Sequence, residues 1–250
     1  MRRNNTGKND VAFLRWDTDF FRSRIGKFDC ASVKGKNDVL CLEKSARKKR
    51  IKYLVGFVPC DKYAVRAVLK KQGFVPIKTV ADLALDLRKK KKTYEAAGDI
   101  KISPAENRDM PALKNIAGNE FSHDRFHSDP FFTGEQADRY HRIWIENLFR
   151  GLADVILVAK VKNNAAGFVA CKITKKDPAS CNIRLIAVKR KFQGKGIGRV
   201  LINACSKWAA GKCLKRIEVR TELSNKAALS LYGRAGFKIL KKGVYFRKIF

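Results

Sequence analysis

Acidic side chains are scarce in this 250-residue chain: 23 Asp and Glu stand against 55 Lys and Arg, a formal net charge of +32. No apolar run approaches the roughly 18 residues of a membrane helix, so no transmembrane span is expected. The opening MRRNNTGKND places no apolar core behind its arginines and does not read as a secretory signal. Internal repeats of about 20–50 residues are lacking, which excludes solenoids and propellers. The seven cysteines are an odd set, and Cys30, Cys41, Cys60, Cys171, Cys181, Cys205 and Cys213 form no C-x-x-C pair. A disulfide framework or zinc cluster is therefore not expected, and a reducing, cytoplasmic setting fits best.

The positive charge is unevenly spread. Residues 1–98 carry 25 Lys and Arg against 10 Asp and Glu; residues 99–182 carry 12 against 11; residues 183–250 carry 18 against 2. A field of this sign steers polyanions, whether nucleotide-linked small molecules or nucleic acid bound without sequence preference. It repels polyamines and lysine-rich tails. The two densest runs, Lys44 to Lys52 and Arg88 to Lys92, read as solvated surface.

Patterning gives an alternation of strands and helices. A strand is expected at Tyr53–Val58, a helix at Asp61–Gln72 and a strand at Val80–Leu87, with a basic linker from Arg88 to Gly98. The next strand lies near Ile100–Ser103. A helix capped by Asp109 follows, with Pro111 in its first turn. Phe121 to Thr133 reads as an irregular aromatic loop and Glu135 to Arg150 as a helix. Strands at Asp154–Val161 and Gly167–Ile173 flank the turn Lys162-Asn163-Asn164. Further on come a strand at Arg216–Glu222, a helix at Asn225–Ala235 and two terminal strands flanking Lys242-Gly243. One internal echo stands out: Val68 to Phe74 and Leu231 to Phe237 each end a helix in Gly-Phe before a strand.

The densest signal is Ile183 to Gly198, IRLIAVKRKFQGKGIG. An apolar run to Val188 passes through basic residues into Gln193-Gly194-Lys195-Gly196-Ile197-Gly198. Ile197, Leu201, Cys205 and Trp208 then recur at helical spacing. A strand entering a helix through glycines is a pyrophosphate cradle: the first amides of the helix point outward and the glycines admit close approach. Close packing alone also selects glycine at such turns.

These residues resemble the acetyl-CoA-binding motif of the GCN5-related N-acetyltransferases. Asn225 to Phe237 adds a second stretch of that superfamily, and the likeness covers roughly Asp99 to Phe250. It implies an α/β fold, with a mixed, mostly antiparallel sheet of acetyl-CoA N-acetyltransferase type in residues 99–250. Residues 1–98 would form a smaller α/β subdomain with the basic linker. It further implies acetyl-CoA as co-substrate, with the pyrophosphate on the amides of Gln193 to Gly198 and the pantetheine arm paired to Val188. A backbone amide near Ala187 or Val188 would polarise the thioester. Tyr232 falls where the superfamily places a proton donor for the departing thiolate, although a tyrosine there also serves to anchor the helix. Asn225 matches a residue that hydrogen-bonds CoA, and it suits an N-cap equally well.

The middle of the chain carries a narrower resemblance. Asp109 to Leu113, Arg125 to Pro130, Tyr140, Trp144 to Asn147, Arg150-Gly151 and Asp154 are similar to the dTDP-4-amino-4,6-dideoxygalactose N-acetyltransferase family, as is Leu14 to Phe21 near the N-terminus. The acceptor implied is an anionic, amine-bearing nucleotide-sugar, with Arg125, Phe126 and Arg184 as candidate contacts. Phe126 could as readily pin its loop to the core. No general base is identifiable, since Asn182 to Ile186 include no carboxylate. His123, Asp124, His127 and Asp129 cluster in sequence, but Ser128-Asp129-Pro130 argues for a loop, and no metal is expected. Two other readings remain open: acetylation of a protein, ribosomal or other amine, and a basic nucleic-acid-associated protein using the fold as a scaffold. A homodimer is compatible with the sequence, which carries no signal for oligomeric state.

Overall fold

The computed structural model describes residues 10–89, 99–175 and 177–250. Along the chain run β1 (Ala12–Phe13), α1 (Arg15–Phe21), β2 (Ile25–Lys27), α2 (Lys36–Lys48), β3 (Tyr53–Pro59), α3 (Tyr63–Lys71) and β4 (Val75–Asp86). Then come β5 (Ile100–Pro104), α4 (Met110–Asn119), α5 (Arg125–Ser128), α6 (Gly134–Asn147), β6 (Val155–Val161), β7 (Asn164–Ile173) and β8 (Ser180–Val188). The chain ends with α7 (Ile197–Gly211), β9 (Arg216–Glu222), α8 (Lys226–Arg234) and β10 (Lys238–Ile249). This is the expected α/β class. Most of the linker expected at Arg88–Gly98 lies outside the described residues.

Two compact units emerge, one of residues Met1–Val80 with Lys241–Phe250, the other of Ala81–Leu240. The sequence reading divides the chain at 98/99 instead. Both of the structure's crossing points fall inside a strand, where no change of composition marks them.

In the first unit β2 runs parallel to β3, and β3 pairs antiparallel with the end of β10, from Gly243 opposite Pro59 to Ile249 opposite Tyr53. Residues expected as two terminal strands are thus one strand, because Lys242-Gly243 continues straight into that ladder. Phe28, Leu42, Leu54, Leu69, Phe74 and Phe246 fill the core. Lys248 reaches the Glu43 carboxylate at 2.6 Å and the Gln72 carbonyl at 2.7 Å.

The second unit orders its strands β4-β9-β8-β7-β6-β5. Its β5/β6, β6/β7 and β7/β8 pairs are antiparallel, while β8 and β9 are parallel. One face of this sheet packs on α7, with Leu201, Cys205 and Ile217 among its core residues. The other packs on α4 and α6 through Leu113, Ile145 and Phe168. Asp109 precedes α4 but does not cap it. Its carboxylate accepts the Glu106 amide at 3.0 Å and the Lys160 ammonium at 2.8 Å, closing a 3-10 turn before the helix. The aromatic loop also holds a short helix, α5, whose first amides are taken by Asp124.

The sequence echo has a structural basis. Phe74 donates to the Leu69 carbonyl and Phe237 to that of Tyr232, each at 3.0 Å, across Gly73 (φ 78°) and Gly236 (φ 87°). Both are left-handed helix ends that glycine adopts without a Cβ penalty.

Gly56 in β3 leaves room for the Phe28 ring: a Cβ there would lie 2.3–2.5 Å from three ring atoms. Phe28 is fully buried and packs edge-on against Phe74 at 5.5 Å, so it has nowhere to retreat. Gly56→Ala is expected to cost about 1–3 kcal/mol, as overpacking does. Gly211→Ala meets nothing within 4 Å and serves as the neutral control. Urea denaturation of the two variants should show a lowered midpoint only in the first.

Candidate active site

The site begins where two parallel strands part. Ser180, Cys181 and Asn182 of β8 pair with Arg216, Ile217 and Glu218 of β9, and the register goes no further although both strands continue. Just beyond, β8 carries a bulge: Leu185 pairs with Ala170 and Ile183 with Cys171, so Arg184 is an extra residue. A bulge bends and overtwists its strand, which turns β8 away from β9. It also switches faces. Ile183 packs with the α7 side, whereas Leu185 and Ala187 pack with the α4 and α6 side.

The gap that opens is lined by the end of β8. The Lys189 amide donates to the Ala166 carbonyl on β7 at 2.8 Å. Strand alternation therefore turns the N–H and C=O of Val188 toward the gap, while Ala187 pairs with Phe168 on the β7 side. The Val188 carbonyl accepts from Gln193 Nε2 at 2.9 Å.

From Val188 the chain passes through a 3-10 turn, Arg190–Phe192, into the glycine run. Gly194 and Gly196 have φ of 76° and 81°. A side chain would strain the backbone there. Gly196 precedes α7, and the amides of Gly194 to Gly198 have no acceptor among the described residues. Five successive N–H groups at a helix N-terminus form an anion site, reinforced by the helix dipole. Gly198 also packs closely on α8, since a Cβ would come 3.1 Å from a Leu231 methyl.

Asn225 caps α8, its side chain accepting the Ala228 amide at 3.0 Å. Its side-chain NH2 takes no part in that bond. Tyr232 is 3% exposed and lies against Phe237 at 5.3 Å, inside the helix–sheet core. Burial first, then the charge of Glu222, holds its phenol above the ordinary value. The hydroxyl therefore keeps its proton at neutral pH.

The acceptor-side candidates fall on one aromatic ladder. Arg184 lies over the Trp144 ring at 5.6 Å, Trp144 stacks near Tyr140 at 6.4 Å, and Tyr140 meets Phe126 at 4.4 Å. Arg125 covers Phe126 at 4.6 Å. Phe126 itself is buried against Phe132 at 5.1 Å, so its ring anchors the ladder.

The histidine cluster is rearranged relative to its sequence. Asp124 accepts the Phe126 and His127 amides at 2.6 and 2.9 Å, His127 Nδ1 at 2.9 Å, and His141 Nε2 from α6. His127 Nε2 faces Asp138 at 3.0 Å. Burial opposes the Asp124 charge, but the hydrogen bond and charge of His141, then the bonds from His127, pull its carboxyl down to about 2. Burial likewise opposes the His127 cation, and Asp124 and then Asp138 more than offset it, so that its pKa rises. Asp124, His127 and His141 bring possible ligand atoms within 4.8 Å of one another; the hydrogen bonds above engage the carboxylate, both His127 nitrogens and His141 Nε2, while His141 Nδ1 is buried without a partner among the described residues. His123 and Asp129 stand apart from the set; Asp129 takes the Phe131 amide at 3.1 Å.

The sequence profile of the Acetyltransferase (GNAT) family matches residues 119–237, the stretch from the end of α4 through the glycine run to Phe237. The chain carries a GNAT acetyltransferase domain. This is the domain of acetyl-CoA-dependent N-acetyltransferases. The dTDP-fucosamine acetyltransferase of Escherichia coli O6:H1 is 26% identical over 173 residues, 68% of this chain and 70% of that one. The spore coat polysaccharide biosynthesis protein SpsD of Bacillus subtilis is 28% identical over 145 residues, 58% of this chain and 49% of its own length. Among solved structures, a GCN5-related N-acetyltransferase from Sphaerobacter thermophilus superposes with a TM-score of 0.63 at 16% identity, over 85% of this chain and 66% of that one. One from Kribbella flavida gives 0.61 at 12% identity, over 90% and 80%. No helix among the described residues is long and apolar enough to cross a membrane.

Two residues of the candidate site lack a local sequence signal. His141 looks like any polar residue on α6, and Glu120 meets the turn before the glycine run only in three dimensions.

If the glycine run holds the pyrophosphate, Gly196→Asp should lower acetyl-CoA affinity at least a hundredfold. The new carboxylate would sit at the helix N-terminus in the anion's place. A Cβ meets nothing closer than Arg199 Nη2 at 3.9 Å, and the left-handed φ of 81° costs a side chain about 1–2 kcal/mol, so the domain should remain folded though less stable. Calorimetry on the folded variant is the check; wild-type affinity would refute the cradle.

Proposed function

We propose that the protein transfers the acetyl group of acetyl-CoA to an amino group of an anionic, nucleotide-activated amino sugar, by direct attack within a ternary complex. The observation that carries the reading is the run of unengaged amides from Gly194 to Gly198 beside the β8/β9 gap. Acetyl-CoA supplies the thioester, whose carbonyl carbon takes the amine's lone pair while the C–S bond breaks. The chain's part is to hold and polarise. The Gly194–Gly198 amides bind the pyrophosphate, the Val188 backbone aligns the pantetheine arm, and the Val188 N–H faces the carbonyl oxygen where charge develops. Asn225 offers its free side-chain NH2 to the cofactor. Tyr232 donates its hydroxyl proton to the departing thiolate, and the proton shed by the attacking amine passes to solvent, from which the phenol is reprotonated. Its raised pKa keeps the hydroxyl protonated until the C–S bond breaks.

The acceptor half rests on different support. The ladder from Arg184 to Arg125 offers flat rings and two guanidinium groups, which suit a base, a sugar face and a diphosphate. Residues 183–250 carry 18 Lys and Arg against 2 Asp and Glu, a field that attracts a diphosphate and repels polyamines. Two relatives are named for saccharide chemistry, one an acetyltransferase and the other a spore coat polysaccharide biosynthesis protein.

Tyr232→Phe keeps the ring and removes the donor, so turnover should fall by roughly 10²–10⁴ with acetyl-CoA affinity little changed. Wild-type turnover, under conditions where chemistry is rate-limiting, would reduce Tyr232 to a packing residue.

TDP- and UDP-linked amino sugars should outpace free glucosamine, spermidine and a lysine peptide when CoA release is followed in parallel. Preference for spermidine or the peptide would overturn the acceptor assignment and favour acetylation of another amine.

A further inference from the structure

One carboxylate reaches the cofactor loop from outside the glycine motif. Glu120 is the C-cap residue of α4, seventy positions before the loop in sequence. Its Oε1 accepts the Arg190 backbone amide at 2.8 Å, and its Oε2 accepts from Gln193 Nε2 at 3.0 Å. The same Gln193 nitrogen donates to the Val188 carbonyl at 2.9 Å, so both of its hydrogens are used. Arg190 opens the 3-10 turn and Gln193 closes it, with the Gln193 amide bonded to the Arg190 carbonyl at 3.1 Å. A single side chain therefore ties both ends of the connection between β8 and the glycine run.

The Glu120 carboxylate cannot itself serve as an anion receptor. Lys189, Arg190, Lys191, Lys195 and Arg199 surround the loop in sequence, and a carboxylate among them weakens the attraction for a pyrophosphate. Its gain is in order. The first amide of a 3-10 turn has no partner within the turn, and Glu120 supplies one. A loop fixed before the ligand arrives loses less conformational freedom on binding.

The geometry points to Glu120 as a positioning residue that preorganises the Arg190–Gln193 turn, and through Gln193 the Val188 carbonyl, for acetyl-CoA. This rests on the acetyl-CoA assignment proposed above. Glu120 contacts the loop and not the reacting atoms, so its loss acts on affinity before it acts on chemistry.

The test is calorimetry and steady-state kinetics on Glu120→Ala, Glu120→Gln, Gln193→Ala and the double variant Glu120→Ala/Gln193→Ala. Glu120→Ala should raise the Kd and KM for acetyl-CoA about tenfold, the order expected for one lost hydrogen-bonded contact, and leave kcat within about twofold. Glu120→Gln retains one acceptor oxygen and should fall between wild type and alanine; it supplies the reading if the alanine variant does not fold. In the Gln193→Ala background Glu120 keeps only its bond to the Arg190 amide, so the Glu120→Ala change should add about threefold, less than its tenfold effect in wild type. Unchanged Kd in both Glu120 variants would overturn the clamp, as would fully additive losses in the cycle. A hundredfold fall in kcat with unchanged Kd in Glu120→Gln would also overturn it, in favour of proton transfer. If wild-type protein bound no acetyl-CoA, the cradle assignment itself would fall and take the clamp with it.

Discussion

The parting of β8 from β9 after three paired residues is the constraint on which the rest of the site depends. Unpaired backbone inside a sheet is unfavourable, and a chain tolerates it only where something else will occupy the edge. Here the Arg184 bulge enforces the divergence, turns the Val188 backbone into the gap and moves the following residues to the opposite face of the sheet. The glycine run begins where β8 ends, so the anion site and the open strand edge are parts of one feature.

Charge is arranged around this gap with economy. Part of the cationic surplus, Lys189, Arg190, Lys191, Lys195 and Arg199, lies on the loop and its flanks, where it would attract an anion over a distance of about one Debye length. The few carboxylates nearby are engaged: Glu120 holds the turn, and Asp124 collects two amides and two imidazoles. Each therefore organises protein and does not compete strongly with an incoming anion. Phe121, next to Glu120 in the chain, stacks on His141 at 4.6 Å. Two adjacent residues thus adjoin both the turn before the glycine run and the Asp124–His141 cluster.

Local rules made much of the fold legible. The Gly-Phe ends of α3 and α8, the 3.6 spacing of α7 and the strand patterns of β6, β7 and β9 depend on contacts within a few residues, and such contacts leave a sequence signature. Asp109 shows the limit. A carboxylate before a helix reads as a cap, yet Lys160 and the Glu106 amide claimed it, because a charge partner from β6 outweighs a cap bond to neutral amides. The terminal Lys242-Gly243 looked like a turn and became strand, since an antiparallel partner in β3 was available for every residue from Gly243 to Ile249.

By itself the sequence determined the α/β class, the glycine run and the helix that follows it, the positions of Tyr232 and Asn225, and the cationic field. All are properties of short segments or of composition. Only the tertiary structure decided that β8 and β9 part at Asn182, that Val188 and not Ala187 faces the gap, and that Arg184 shares a ladder with Arg125. It also decided that His127 joins Asp124 and His141, and that Glu120 meets Gln193. These depend on strand register and on side chains tens of residues apart, and a periodicity read along one segment carries no information about which distant segment it will meet.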